Sequence, residues 1–280
     1  MSQQPHENKL QLSLVINTSE HSIDMHHGTT MFSGAADLAA RVTDAILKGE
    51  VTESRVTSNP IRGELETNFN SSYGQNFSIV VRGEELSSKL NDVGKSTLCE
   101  IINFFIMESL FLDASDLSDR AHQIVEGLSI SHDDILTALR HPLKNLHKIS
   151  EAYGYSVKLN HRIAGEEREI VTLTEETAGR LKPMKSEDTE IEYEVAISRY
   201  NRLTGNGRLI INGDTETVAF GYSSSIKLVR SAMKKAIAGN LNVNADLDEM
   251  HWQYMKITAK KLVLRNNVIV KLLVIGIVND

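Results

Sequence analysis

Residues 192–220 read EYEVAISRYNRLTGNGRLIINGDTETVAF, and this run decides how the last third of the chain folds. Tyr193, Val195, Ile197 and Arg199 fall on alternate positions from Glu192 to Tyr200, the period of a half-buried strand. Gly205-Asn206-Gly207 then turns the chain into Arg208 to Ile211. Asn212-Gly213-Asp214 is a hairpin signal, because Asn and Gly accept the left-handed backbone that two-residue turns demand. Thr215 to Phe220 is the third strand of the meander.

Working outward, Ser223 to Ser225 are positioned to cap a helix with Ile226, Val229, Met233 and Ile237 on its apolar face, ended by Gly239-Asn240. A long strand from Trp252 to Leu264 follows, and Asn266-Asn267 turns it into Val268 to Val278. Three strands, a helix and two strands is the order of the OB-fold, a small five-stranded barrel. Sm-like and SH3-like barrels share much of this pattern.

Upstream the pattern is mixed. Leu10, Leu12, Leu14 and Ile16 alternate as a strand, and Ser33 to Lys48 has helical periodicity closed by Gly49. Short strands are expected near Ser54 to Ser58 and Leu65 to Phe69, with Pro60 between them, and a stronger one at Phe77 to Val81. Leu98 to Leu112 is an apolar helix, and Asp116 to Tyr153 is rich in helix. Within that stretch Ser131 and Asp134 have capping-box spacing, and Pro142 suits the first position of a further helix. Ser156 to His161 and Glu169 to Leu173 are two short strands around Ala164-Gly165. Glu175 to Leu181 is a helix capped by Thr174. The charged run Lys182 to Glu190 has no periodicity and contains Pro183. The fold class is therefore α+β: residues 1–181 form an α+β domain, 182–190 a linker, and 191–280 an OB-like barrel (β-β-β-α-β-β).

Composition excludes several classes. With 41% apolar and 24% charged residues the chain is globular. One cysteine, Cys99, leaves no disulfide framework and no cysteine-rich zinc site. Met1 to Lys9 is polar, so no secretory signal peptide is expected, and Leu98 to Leu112 is too short and too polar to span a bilayer. These features imply a cytoplasmic protein. The net charge of −7 conceals an asymmetry: from Val195 onward twelve Lys and Arg face six Asp and Glu, a surplus of +6 against −13 before it.

Catalytic and metal signatures are thin. Gly94-Lys95-Ser96 resembles the end of a Walker A motif, but Lys89 stands where its first glycine belongs. A nucleotide-binding enzyme or sensor built on these residues is the alternative reading; an ordinary helix N-terminus is the plainer one. Asp24, His26 and His27, and separately His132, His141 and His147, lack metal-ligand spacing, so no metal or other cofactor is expected. Cys99 reads as a core thiol.

The basic residues of the last third are the better lead. Lys227, Arg230 and Lys234 have the spacing of one helical stripe. Arg199, Arg202 and Arg208 flank the first hairpin, while Lys256, Lys260 and Lys261 lie on the fourth strand. Such a track suits phosphates, and Tyr200, Tyr222, Trp252 or Tyr254 would stack on bases. A solvated or protein-contacting face remains the competing reading.

Ala36-Asp37-Leu38-Ala39-Ala40 in the first helix and Tyr73-Gly74-Gln75-Asn76-Phe77-Ser78-Ile79 before the apolar helix carry a diffuse resemblance. With the opening strand and the terminal barrel, the layout resembles an uncharacterised bacterial family of accessory proteins. Its members often have Gly-Ser-Phe where this chain has Gly74 followed by Gln75-Asn76-Phe77. The resemblance implies a bacterial or mobile-element setting, with an accessory component of a phage-defence system as one form of it, and assigns no site residue. The expectation is thus a non-enzymatic accessory or scaffold subunit. Its barrel would meet a protein partner or nucleic acid, with homo-oligomer formation left open and no membrane contact.

Overall fold

The computed structural model describes residues 7–278, apart from 21, 53–55, 57, 67–72, 115, 203, 225, 265 and 266. The chain divides into two compact units, one running to Leu110 and resuming over Ala114–Leu181. The other comprises Phe111–Asp113 and the chain from Lys182 onward.

In the first unit the elements are β1 (Glu7–Asn17), α1 (Met25–Lys48), β2 (Ile61–Leu65), β3 (Gly74–Arg82), α2 (Glu84–Val93) and α3 (Lys95–Ser109). They continue as α4 (Asp119–Glu126), α5 (His132–Leu146), α6 (Lys148–Tyr153), β4 (Ser156–Ile163), β5 (Glu166–Leu173) and α7 (Glu175–Gly179). The strands form one antiparallel sheet in the order β2-β3-β1-β4-β5. β1 is its centre because Leu10, Leu12, Leu14 and Ile16 all face the core. Met31, Ala35, Leu38, Val42 and Ala45 of α1 and the apolar side chains of α3, including Phe105, are buried in the same unit.

Helix α1 begins at Met25, ahead of the Ser33 that apolar periodicity suggests. The Asp24 carboxylate accepts the His27 N–H at 2.7 Å and so supplies the cap. Ser131 caps α5 as its spacing foretells, and Thr174 and Thr177 form a reciprocal capping box on α7. Pro142 does not open a new helix; it lies inside α5. Ile135, Leu139, Leu143 and Leu146 keep one buried stripe running through it, and that burial outweighs the single backbone bond a proline removes. β2 starts directly after Pro60, upstream of the expected strand, whose end at residues 67–69 lies outside the described residues. Most of the strand expected at Ser54 to Ser58 lies outside them as well.

The second unit holds β6 (Lys185–Ser186), β7 (Ile191–Tyr200), β8 (Gly207–Ile211), β9 (Thr217–Tyr222), α8 (Ser231–Asn244), β10 (Met255–Val263) and β11 (Ile269–Ile277). β7, β8, β9, β11 and β10 pair in that order, and β10 closes back onto β7. Only β9–β11 is parallel, and a parallel pair needs a long crossover, here α8 and β10. The result is a closed five-stranded mixed barrel with OB-like connectivity. Val195, Ile197, Leu209, Phe220, Ile257, Ala259, Leu272 and Val274 fill it, together with Ile237 from α8.

β10 pairs with β7 only as far as Met255 and Val195, and two residues further along β7 the Ile197 N–H donates to Asn240 Oδ1 of α8 at 2.8 Å. Asn240 and Asn244 also donate to the Gln253 carbonyl, so Trp252 to Tyr254 serve as an anchor for α8 and β10 starts only at Met255. The expected linker takes part in the barrel unit: Lys185 and Ser186 pair with Val263 and Leu262, and the Glu187 N–H donates to the Lys261 carbonyl. Among the described residues no helix is long and apolar enough to cross a membrane.

Candidate functional site

The barrel's basic residues do not form one track. Arg208 is buried at 4% exposure on β8 and fully engaged. Its guanidinium donates to Thr217 Oγ1 and O and, at 3.0 Å, to the Phe111 carbonyl. Asp113 lies 3.6 Å from Arg199 and 3.9 Å from Arg208. Lys260 and Lys261 meet Asp188 and Glu187 at 3.6 and 3.1 Å. Lys256, on β10, is half-buried.

The helical stripe is corrected as well. α8 begins at Ser231 with Arg230 as an extended cap residue, so of Lys227, Arg230 and Lys234 only Lys234 is helical. The preceding turn is held by packing instead of capping. Ile226 and the Tyr222 ring close over Gly205, and Val229 is buried. Gly205 has φ +75° and leaves less than 3 Å for any Cβ beside those side chains, so glycine is required there.

That packing creates a different grouping. Gly205 of the β7–β8 loop lies against Tyr222 and Ile226, and Lys271 donates to Asn206 Oδ1 at 2.9 Å. Arg202 on the loop and Lys227 and Arg230 beyond the segment are exposed. Among the described residues none of the three has an acidic or hydrogen-bonding side-chain partner. The expected stacking aromatics are mostly occupied: Tyr200 stacks on Phe220, its hydroxyl is 3.1 Å from that of Tyr222, and Trp252 donates to the Leu247 carbonyl. Tyr254 is 38% exposed and the most available of the four.

The barrel is also less basic than its last 86 residues suggest. Counting Asp113, Glu187, Asp188, Glu190, Glu192 and Glu194 with Lys182 and Lys185, the second unit has fourteen cations and twelve acids, a surplus of +2. The unit as a whole is therefore close to neutral.

Gly94, Lys95 and Ser96 occupy the first unit. No phosphate-wrapping loop precedes them, since residues 84–93 are helix α2. Gly94, at φ +85°, ends α2 and starts α3. With Ser96 and Lys95 it lines a cleft of about 450 Å³ together with Lys9, Gln11, Leu90, Asn91 and the 161–164 end of β4. The pairing of β1 with β4 stops at Leu12 and His161, although both strands run on, and the cleft fills the gap between them. His161, Lys9, Gln11, Asn91 and Arg162 were not marked by sequence motifs. Alternation puts Lys9 and Gln11 on the polar side of β1, but only strand register brings them to α3.

The histidines hold no metal arrangement among the described residues. His27 Nδ1 pairs with Asp24 at 2.6 Å, and His132 packs edge-on against Phe104 and Phe105. His147 is buried, its Nδ1 donating to the Leu143 carbonyl at 2.8 Å. Cys99 is a buried thiol whose ionisation burial pushes far above the usual range, so it is unreactive. The chain matches no family model, no curated protein and no solved structure.

Two buried imidazoles give the first unit a pH response. Burial holds His147 and His161 below the ordinary value of 6.5, and Arg168 and Lys95 push His161 further down. The unfolded chain therefore takes up protons near pH 6.5 that the folded one refuses. Stability is full above that pH and falls as the pH drops below it. Urea titrations at pH 7.5 and 5.5 are expected to show this loss, and a His147→Gln, His161→Gln chain should show a flatter pH profile.

Proposed function

We propose that this protein is a non-enzymatic interaction subunit whose barrel engages a polyanionic partner through the rim at the β7–β8 loop. Single-stranded nucleic acid is the partner form that the barrel architecture favours. The observation that supports the reading is the grouping of Arg202, Lys227 and Arg230. They are exposed, have no acidic side-chain partner among the described residues, and stem from two segments packed together at Gly205. The outer face of β8–β9, the other surface such barrels use, is taken up by Arg208 and the Phe111 carbonyl.

A labelled single-stranded oligonucleotide followed by anisotropy through a salt titration tests this. The Arg202→Glu, Lys227→Glu, Arg230→Glu chain is expected to bind more weakly, with a salt slope shallower by about 2, since each lost phosphate contact removes roughly 0.7 on a single strand. Equal binding by the two chains rejects the rim. If the unmodified protein binds no oligonucleotide, the nucleic-acid form is wrong, and pull-down with the triple variant as control tests an acidic protein surface instead.

A further inference from the structure

We infer that the cleft between β1, β4 and the α3 N-terminus binds a small phosphate-bearing ligand, with its phosphate against Lys95, the first N–H groups of α3 and His161. Three independent features converge there. α3 is a fifteen-residue helix that starts without any side-chain cap, so its leading N–H groups face the cleft with the positive end of the helix dipole behind them. Lys95, its first residue, is exposed and has no ion-pair or hydrogen-bond partner among the described residues. His161 lines the same cleft at 5% exposure and also has no hydrogen-bond partner among the described residues. A polar side chain this covered usually has a protein partner, and the cleft is where His161 meets open space among its lining residues.

The rest of the lining fits an anion. Lys9 and Arg162 add positive charge, the latter shared with Glu66 at 3.1 Å, and none of the described lining residues is a carboxylate. Gln11 and Asn91 offer amides to the remainder of a ligand, and Leu90 and Ile163 offer apolar surface. At about 450 Å³ the cleft is in the size range of small-molecule sites and has room for more than a bare phosphate. A phosphate placed here replaces the water that three donors would otherwise keep, and each charge-assisted bond is stronger than a neutral one.

The site lies in the other unit from the barrel rim, so its test stands apart from the one above. Orthophosphate and adenosine monophosphate are titrated calorimetrically and by thermal shift into the full chain, with potassium chloride at matched ionic strength as control. Both phosphates are expected to raise the melting temperature, and Lys95→Ala is expected to bind about tenfold more weakly, the loss of one charge-assisted contact. Lys89→Ala, on α2 and paired with Glu85, should bind as the unmodified chain does. His161→Gln, a second probe less exposed to charge arguments, should also weaken binding. Tighter binding of the nucleotide than of orthophosphate assigns an ester as the ligand; equal binding assigns the free ion. Absence of stabilisation by either, or equal binding by Lys95→Ala, overturns the inference.

Discussion

Gly34→Val is expected to destabilise the first unit by about 3 kcal/mol, at the upper end of what overpacking usually costs. Gly34 lies on α1, where α5 crosses it. A Cβ added there would sit 2.5 Å from the Leu146 nitrogen, 2.7 Å from the Pro142 oxygen and 2.9 Å from the Asn145 carbonyl carbon. All three are backbone atoms, and no rotamer change moves them aside. Helix propensity alone argues the other way, since a glycine inside a helix is about 1 kcal/mol worse than alanine. The contrast is available within the same chain. Gly239 on α8 has nothing within 4 Å of its added Cβ, so Gly239→Ala should stabilise by a few tenths to about 1 kcal/mol. Urea unfolding of the two variants settles it: a stability loss for Gly34→Val no larger than the change at Gly239 would mean that α1 and α5 can separate freely.

The barrel was legible because its signals are local. Alternation in residues 192–200 and the Asn212-Gly213 turn give strands and a hairpin without reference to the rest of the chain. Closure of the barrel is a different matter: the parallel β9–β11 pairing joins residues 219–222 to 271–274, and no local pattern encodes it. It follows from the order of elements alone, which is why other small barrels shared the expectation. In the first unit β1 was plain from four alternating apolar residues, whereas the start of α1 was not. His26, His27 and Gly28 offer no apolar periodicity, and the helix there rests on the Asp24 cap.

The functional residues were less legible, for two physical reasons. Lys227, Arg230 and Lys234 have helical spacing in the sequence, but Ile226 and Val229 are drawn into packing that keeps 226–230 out of α8. A charge count in sequence is also blind to pairing. Arg199, Arg208, Lys260 and Lys261 each have an acidic neighbour, two of them through Asp113, which is far off in sequence. The cleft shows the opposite case. Gly94-Lys95-Ser96 drew attention as a partial motif for a loop that is not there, yet the same residues head a helix beside a buried histidine. His161 reads in sequence as one more strand position, and its lack of a partner is visible only once β1 and β4 are set in register.

Arg208→Ala is the second large effect, expected to cost the barrel unit about 3 kcal/mol, the scale of losing several charge-assisted bonds made by one buried guanidinium. The ion pair is the smaller part of this. Asp113 is half-exposed and 3.9 Å away, so water screens it and Asp113→Asn should cost under about 1 kcal/mol. The greater part comes from Thr217 and from the Phe111 carbonyl, which the guanidinium fork holds at 2.8 and 3.0 Å. Phe111 has φ +56°, a conformation that a bulky side chain adopts at a cost of about 1–2 kcal/mol, and Arg208 is what fixes its carbonyl. Lysine has one donor centre where the fork has several, so Arg208→Lys should resemble alanine more than arginine in urea unfolding. Phe111→Gly gives the complementary measurement. Removing the strained side chain relaxes the backbone, so in that background the cost of Arg208→Ala should shrink, and equal costs in both backgrounds would show that the fork does not restrain Phe111.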